Sequence, residues 1–175
     1  MADTKTIKNA FERNVKLLNL KPEKGQYTTS TKIRLKNGTT CDVEHKDWTF
    51  KADVGENQGG NNAGPGPSVL QRGALGSCLA IGYATWAAAM GVPIENIEVI
   101  VEADVDARGT YGIEGVKAGY KALRYTVSIE SPAPKEKILD VIEKADNHSP
   151  VLMDFKKPVP VERNVQINKR SKIPT

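Results

Sequence analysis

The chain has 175 residues, of which 39% are hydrophobic and 26% are charged, and its formal net charge is +4. This length and composition are typical of one soluble globular domain and exclude a disordered, collagen-like or coiled-coil chain. Residues 1–51 carry a net charge of +5, residues 52–155 carry −6 and residues 156–175 carry +5. Only 6% of the residues are aromatic, and no cluster of Lys and Arg interleaves with them. We therefore expect no nucleic-acid partner.

The first predicted element is an amphipathic helix over residues 4–20, where apolar residues recur at helical spacing until Pro22. We assign residues 1–22 to an N-terminal helical arm, residues 23–170 to one domain and residues 171–175 to a C-terminal tail. The start of the chain has no apolar run after its positive charges, so we expect no secretory signal. Two cysteines are too few for a disulfide framework, which favours the cytoplasm.

A β-hairpin is predicted after the arm, because Asn37-Gly38 separates two segments that alternate between polar and β-branched or apolar residues. The loop over residues 55–67 is long and rich in Gly, Asn and Pro. Long loops of this kind inside compact domains are usually functional or mobile.

An apolar helix is predicted from Ser68 to Met90, because Gly91 and Pro93 follow as stop signals. Residues 73–91 carry no charge and are the one membrane candidate in the sequence. They are at the short end of the roughly 20 residues that a span needs, and many of them are small. We therefore interpret this segment as a buried core helix and expect no membrane partner.

The second half of the chain alternates strands and helices. Residues 96–107 and 121–130 each place apolar side chains on one face, which predicts antiparallel strands with one solvated face. Pro134 opens a second helix, and residues 158–168 are predicted to form a last strand at a sheet edge. The element order predicts an α+β fold, with an antiparallel sheet and two helices packed on one of its faces.

Cys78 is the main candidate for chemistry. It shares one stripe of the apolar helix with Leu70, Ala74, Gly82, Trp86 and Met90, so we expect a buried or half-buried thiol. Such a cysteine is commonly just a small apolar residue in a helix contact. A reactive thiol needs a nearby cation or a helix N-terminus. Cys78 lies about three turns inside its helix, so a cation would have to come from elsewhere in the fold or from a second subunit.

The other polar candidates predict little chemistry. Cys41 and His45 share a strand face, but four residues at roughly 3.3 Å each hold them too far apart for one metal ion. We therefore expect no metal site and no cofactor. His148 follows a helix, where a cation at the helix C-terminus is favoured without any catalytic role. The chain has no G-x-S-x-G motif, and its Gly-rich loop has no Lys-Ser/Thr ending, so neither serine hydrolysis nor phosphate binding is predicted.

Three features together resemble a known family: a Gly-rich loop that ends in PGPS, a cysteine eleven positions after Pro67 in a small-residue helix, and NHSPV after a later helix. Over roughly residues 28–168 the chain resembles the OsmC family (osmotically inducible protein C), which includes the organic-hydroperoxide-resistance proteins. The resemblance implies an intertwined homodimer of antiparallel sheets around central helices. The predicted helix 4–20 lies outside this shared core.

The resemblance also implies roles for individual residues. Active members of the family are thiol peroxidases, in which one cysteine attacks a hydroperoxide and a second resolves the sulfenic acid as a disulfide. Cys78 matches the attacking position, whereas the resolving position holds Ser149, which cannot form a disulfide. Ser68 stands where the family has a Glu, and Lys51 is the nearest match to the family's Arg. A lysine lacks the planar fork with which arginine pairs to a thiolate and a carboxylate together.

We therefore predict an OsmC-like stress-response protein that acts as a weak, one-cysteine organic hydroperoxide reductase with an external thiol reductant. The alternative is a non-catalytic OsmC-like protein that binds an apolar small molecule in a pocket at the dimer interface. Tyr83, Trp86 and Met90 are the residues that would line this pocket, although core packing also accounts for all three. Cys41 can pair with Cys78 only if their Cα atoms lie within about 7 Å.

Overall fold

The computed structural model describes residues 3–168. The fold is α+β, as predicted. Its elements in chain order are α1 (Thr4–Leu20), β1 (Lys32–Asn37), β2 (Thr40–His45), β3 (Trp48–Ala52), α2 (Pro67–Met90), β4 (Asn96–Val105), α3 (Ala107–Thr110), β5 (Tyr120–Glu130), α4 (Lys135–Asp146) and α5 (Pro150–Lys156).

The strands of the described chain form two antiparallel sheets, where the sequence suggested one. Strands β1, β2 and β3 are neighbours in the first sheet, and β4 pairs with β5 in the second. The predicted hairpin at Asn37-Gly38 is present, with Gly38 at φ +57°. A second hairpin between β2 and β3 was not predicted, because its turn contains Lys46 at φ +51° and no glycine. A lysine rarely adopts this left-handed conformation, so the sequence gives no turn signal there.

The sheet β1–β2–β3 has one apolar and one charged face, because residues paired directly across antiparallel strands point the same way. One face, here called the apolar sheet face, carries Ile33, Leu35, Val43, Trp48 and Phe50. The opposite face carries the ion pairs Arg34–Glu44 and Lys51–Asp42. The apolar sheet face is largely open to solvent in the single chain, with Trp48 78% exposed and Leu35 67% exposed.

Helix α2 lies at the centre of the hydrophobic core. Leu75, Leu79 and Tyr83 are completely buried, and they pack with Ala145 of α4 and Leu152 of α5. The inward side chains of β4 and β5, which alternate as predicted, cover this core from the sheet side. The buried face of α2 thus lies beside the stripe containing Cys78 that the sequence analysis singled out. Cys78 is half-buried, at the edge of the buried face.

Among residues 3–168, α2 is also the one helix that is long and apolar enough to span a membrane by length and composition. Core helices of soluble proteins pass the same test. Its contacts with β4, α4 and α5 are those of a central helix in a globular core.

The predicted last strand is wrong for the described residues, since 158–168 form no strand. Pro158 and Pro160 have no backbone N–H to donate to a neighbouring strand. Before this segment lies the short helix α5, which was not predicted, with Ser149 as its N-cap and Pro150 as its first residue. Serine followed by proline is a helix-start signal that the sequence already contained. The predicted tail 171–175 lies outside the described residues.

Helix α1 spans the range expected for the N-terminal helix, and its N-cap is Asp3, whose side chain accepts the N–H of Thr6 at 2.7 Å. Phe11 packs edge-on against Trp86 of α2, with ring centroids 5.0 Å apart. The apolar residues in the second half of α1, such as Leu20, stay exposed.

Candidate functional site

Cys78 and Ser149 are in direct contact, although 71 residues separate them in the chain. The Sγ atom of Cys78 lies 3.3 Å from the Oγ atom of Ser149. Ser149 is only 4% exposed, and its Oγ atom also accepts the backbone N–H of Leu152 at 3.4 Å. The end of α4 and the start of α5 thus place a fixed hydroxyl against a half-buried sulfur atom of α2.

The direction of the Cys78–Ser149 hydrogen bond depends on the state of the sulfur. A neutral thiol can donate its proton to Oγ or accept one from it. A thiolate has no proton, so Ser149 must then be the donor while its lone pair still accepts Leu152 N–H. A hydrogen bond donated to a charged acceptor is stronger than one between neutral groups. Ser149 can therefore donate a hydrogen bond to Cys78 when the sulfur acts as a thiolate nucleophile.

Three residues before Ser149, the carboxylate of Asp146 joins two tyrosines. Its two oxygens accept the hydroxyl protons of Tyr83 and Tyr125, each at 2.7 Å. Burial, together with the hydrogen bond to Asp146 and its charge, holds the pKa of Tyr83 well above its usual value. The same causes raise the pKa of Tyr125 to about 12. Both phenols therefore remain protonated donors at neutral pH.

Within the single chain, the three residues proposed to line a ligand pocket have different surroundings and share no common cavity. Tyr83 is completely buried, and its hydroxyl is used by Asp146. Trp86 is surrounded by the ring of Phe11, by the ring of His148 at 5.0 Å and by the ammonium of Lys144 at 5.4 Å. Met90 is exposed at the end of α2. Within the single chain the core and α1 fill the space around the first two residues, and the predicted pocket at a dimer interface stays a prediction.

The imidazole of His148 is oriented by a hydrogen bond to the backbone. Its Nδ1 atom lies 2.7 Å from the carbonyl oxygen of Lys144, and a carbonyl can only accept, so Nδ1 carries the proton. The ring is exposed and lies on Trp86 at the C-terminal end of α4. It is therefore placed as the sequence suggested, beside the last turn of a helix.

The structure does not bring the other two predicted site residues to Cys78 within one chain. Lys51 projects from the charged face of the first sheet, where its ammonium pairs with Asp42 at 3.0 Å. Ser68 is in the first turn of α2, ten residues before Cys78, which is roughly 15 Å along a helix. Its backbone carbonyl accepts the hydroxyl of Tyr120 at 2.9 Å. Any cation beside Cys78 from the Lys51 sheet would have to come from a second copy.

Both cysteines are free, and within the chain Cys41 does not pair with Cys78. Cys41 lies on β2, where its Sγ atom is 3.9 Å from the carbonyl oxygen of Thr39. In the part of the chain that the structure describes, no group of three or more His, Cys, Asp or Glu residues is placed to hold a metal ion.

Asp53 is a polar centre that the sequence analysis missed. Its buried carboxylate accepts the hydroxyls of Thr39 and Thr40 and the backbone N–H groups of Val54, Asn61 and Ala63. The hydrogen bond from Thr39, followed by those from Thr40 and the backbone, holds the pKa of Asp53 well below its ordinary value. This residue organises the Gly-rich loop, and a single Asp before such a loop carries no distinctive motif.

An apolar groove of about 550 Å³ lies between α1, α2 and the segment that leads into β4. Its walls are mainly small and branched apolar side chains, and Asp3, Thr4, Glu95 and Asn96 supply the polar groups of its lining. The apolar lining residues are Ile7, Ala80, Ile81, Ala84, Ala87, Ala88, Val92, Ile94 and Ile97. The groove includes none of the residues that the sequence analysis assigned to binding.

The family model for OsmC-like proteins matches residues 59–164, which include α2, the second sheet, α4 and the Cys78–Ser149 contact. The chain therefore belongs to the OsmC family. No curated protein sequence matches it.

Solved structures show the same fold at low sequence identity. An OsmC-like protein of Mycoplasma pneumoniae is 15% identical, with a TM-score of 0.65 over 76% of this chain and 90% of that one. The organic hydroperoxide resistance protein OsmC of Legionella pneumophila is 15% identical, with a TM-score of 0.54 over 75% and 92%. An organic hydroperoxide resistance protein of Elizabethkingia anophelis is 18% identical, with a TM-score of 0.54 over 76% and 91%.

Proposed function

We propose that this OsmC-family protein reduces organic hydroperoxides with a single reactive cysteine, Cys78, and an external thiol. The observation that carries the proposal is the 3.3 Å contact between the half-buried sulfur and the hydroxyl of Ser149. The substrate class is suggested by two of the similar structures, which are organic hydroperoxide resistance proteins. A buried hydroxyl at this distance can donate a charge-assisted hydrogen bond to a thiolate nucleophile.

The proposed reaction proceeds in two stages. The Cys78 thiolate attacks the terminal oxygen of the hydroperoxide, so that an S–O bond forms, the O–O bond breaks and an alkoxide leaves to take a proton from water. An external thiol then attacks the sulfenic acid, forming a mixed disulfide and releasing water. A second thiol frees Cys78 as a thiol. In total, one hydroperoxide and two thiols give one alcohol, one water and one disulfide.

Ser149 supports an external reductant rather than an internal one. It occupies the resolving position implied by the family resemblance, and a hydroxyl cannot form a disulfide. Cys41 does not contact Cys78 within the chain. Two unpaired cysteines also agree with a cytoplasmic location, where thiol reductants are abundant.

The active form in this proposal is a homodimer. The apolar sheet face exposes several large apolar side chains side by side, which is typical of an interaction surface. A second copy would cover it, and would also be the source of any cation beside Cys78.

The experiment that tests the peroxidase proposal is rapid-mixing kinetics with cumene hydroperoxide, followed by intact-mass analysis. We expect Cys78 to gain one oxygen atom, and turnover with dithiothreitol to disappear in Cys78→Ser. Cys41→Ser is the matched control and should keep the turnover. Equal turnover in Cys78→Ser and the parent protein would rule the proposal out.

The apolar groove supports a second candidate function, the binding of an apolar small molecule without chemistry. Its volume of about 550 Å³ suits a small ligand. A medium-chain fatty acid should then raise the melting temperature of the protein in proportion to the logarithm of its concentration. The shift should persist in Cys78→Ser and disappear in Ala84→Trp, which would fill the groove. An identical shift in Ala84→Trp would exclude this site.

A further inference from the structure

The carboxylate of Asp146 connects three elements at the end of α4. It accepts the hydroxyl of Tyr83 from α2 and that of Tyr125 from β5, each at 2.7 Å. Tyr83 is completely buried, so this connection lies inside the core. Two donors on one ionised carboxylate are charge-assisted hydrogen bonds, which are short and directional. The side chain of Asp146 is therefore held in place from two sides.

The same residue is linked to Ser149 through its backbone. The carbonyl of Asp146 accepts the N–H of Ser149 at 3.3 Å, closing the turn that joins α4 to α5. Ser149 in turn contacts Cys78. Because Tyr83 and Cys78 are on the same helix, the α4–α5 turn is attached to α2 at two points, Tyr83–Asp146 and Cys78–Ser149. The first attachment limits how far the second can move.

We propose that Asp146 is a positioning residue for the hydrogen bond between Ser149 and Cys78. Its carboxylate, held by Tyr83 and Tyr125, fixes the turn that carries Ser149 at the distance where its hydroxyl can donate to the sulfur. Asp146 does not contact the sulfur and takes no part in proton transfer. The effect on peroxide reduction rests on the proposed function, whereas the effect on the thiol itself does not.

A small displacement of Ser149 would break its hydrogen bond to Cys78. The Sγ–Oγ distance of 3.3 Å is within the range for a hydrogen bond to sulfur, and an outward movement of about 1 Å would end the bond. Misplacement of this size around reacting groups is associated with large losses in rate. Loss of a hydrogen bond to a charged group corresponds to about a tenfold effect. We therefore expect roughly tenfold slower oxidation of Cys78 in variants that lack the carboxylate.

The experiment compares Asp146→Asn and Tyr125→Phe in a Cys41→Ser background. The rate of Cys78 alkylation by iodoacetamide is measured across pH, and the rate of oxidation by cumene hydroperoxide is measured separately. Tyr120→Phe is the matched control, because its hydroxyl is on the same strand but contacts the carbonyl of Ser68 instead. We expect both test variants to shift the alkylation profile to higher pH, and the control to leave it unchanged.

A double-mutant cycle separates positioning from general loss of structure. If Asp146 acts through Ser149, then Ser149→Ala should produce the same shift, and Asp146→Asn should add little to it in the double variant. A full additional shift in the Ser149→Ala background would overturn the proposal. So would an unchanged profile in Ser149→Ala, or in both Asp146→Asn and Tyr125→Phe.

Stability is controlled by melting curves for each variant. If Asp146→Asn does not fold, an unchanged profile in the milder Tyr125→Phe variant overturns the proposal by itself, since that variant removes one hydroxyl and leaves the carboxylate. The two proposals also fail differently. A parent protein whose Cys78 does not react with hydroperoxide contradicts the peroxidase proposal, while the iodoacetamide profile still decides the role of Asp146.

Discussion

At the scale of single residues, the surroundings of an aspartate decide what it does. The carboxylate of Asp53 is buried and surrounded by donors from three parts of the chain. That of Asp104 is half exposed and pairs with Arg124 on the outer side of the second sheet. Exposed ion pairs contribute little to stability because water and salt screen them. The two residues therefore offer a matched comparison.

We expect Asp53→Asn to lower the free energy of unfolding at pH 7 far more than Asp104→Asn does. The pKa of Asp53 is depressed in the folded chain, so its contribution to stability is present above its unfolded pKa of about 3.9 and is lost as the pH falls below that value. The difference between the parent protein and Asp53→Asn should shrink on acidification from pH 5 to pH 2. Urea unfolding over this range measures it. A difference that stays constant with pH would contradict the assignment.

The contact between Cys78 and Ser149 makes a second residue-scale prediction. In a Cys41→Ser background, Ser149→Cys should give an intramolecular disulfide with Cys78 after treatment with hydroperoxide, because the two side-chain atoms are already 3.3 Å apart. A loss of two mass units and resistance to alkylation would identify it. Ser77→Cys is the control, since its side chain points to another side of α2 and should give no such product. A fully alkylated Ser149→Cys protein after oxidation would show that the contact is misplaced.

At the scale of elements, glycines show where backbones approach closely. A Cβ atom at Gly64 would lie 2.3 Å from the carbonyl oxygen of Lys51, so the Gly-rich loop packs directly on the backbone of β3. At Gly73, inside α2, a Cβ atom would meet no other atom within 4 Å. Glycine is therefore required at the first position and is only a weak helix former at the second.

We predict opposite effects for the two matched substitutions. Gly64→Ala should destabilise the chain by about 1–3 kcal/mol, the usual cost of forcing extra volume into a packed site. Gly73→Ala should stabilise it by up to about 1 kcal/mol through helix propensity. Both are measured by urea unfolding at neutral pH. Equal effects at the two positions would mean that the loop does not rest on β3 as described.

The elements that could be predicted from the sequence are those with a clear period. The helices α1, α2 and α4 and the strands β4 and β5 follow from hydrophobic spacing, because one face of each is buried. The turn at Lys46 gave no signal, since it uses a residue that rarely has positive φ. Helix α5 did have a start signal at Ser149-Pro150, but it is only seven residues long, too short to show a clear hydrophobic period.

Some residues of the candidate site could likewise be predicted from the sequence, and others could not. Cys78 was singled out from its place in the apolar helix and Ser149 through the family resemblance, and the fold brings them together. The cluster around Asp146 could not be predicted, because Tyr83 is 63 residues away and Tyr125 is 21 residues away. Hydrogen bonds over such separations depend on the packing of α2, β5 and α4. No local sequence pattern indicates these hydrogen bonds.

At the scale of the whole molecule, the first sheet is the part that the single chain leaves incomplete. Its main contacts are among its own strands, whereas α2 contacts β4, α4, α5 and α1. Burying apolar surface stabilises a protein by roughly 25 cal/mol per Å². The exposed apolar sheet face therefore favours association with another surface, and in a symmetric dimer the interface would contain each of its residues twice.

Two neighbouring residues of β3 test this association, because Phe50 is on the apolar sheet face and Thr49 is on the charged one. Phe50→Lys should convert the dimer into a monomer, as it would bury two unpaired charges at the interface. Thr49→Lys adds the same charge opposite Glu44 and should leave the dimer intact. Sedimentation velocity at micromolar concentration measures both. A parent protein that sediments as a monomer, or a dimer that survives Phe50→Lys, would show that this face is not where two copies meet.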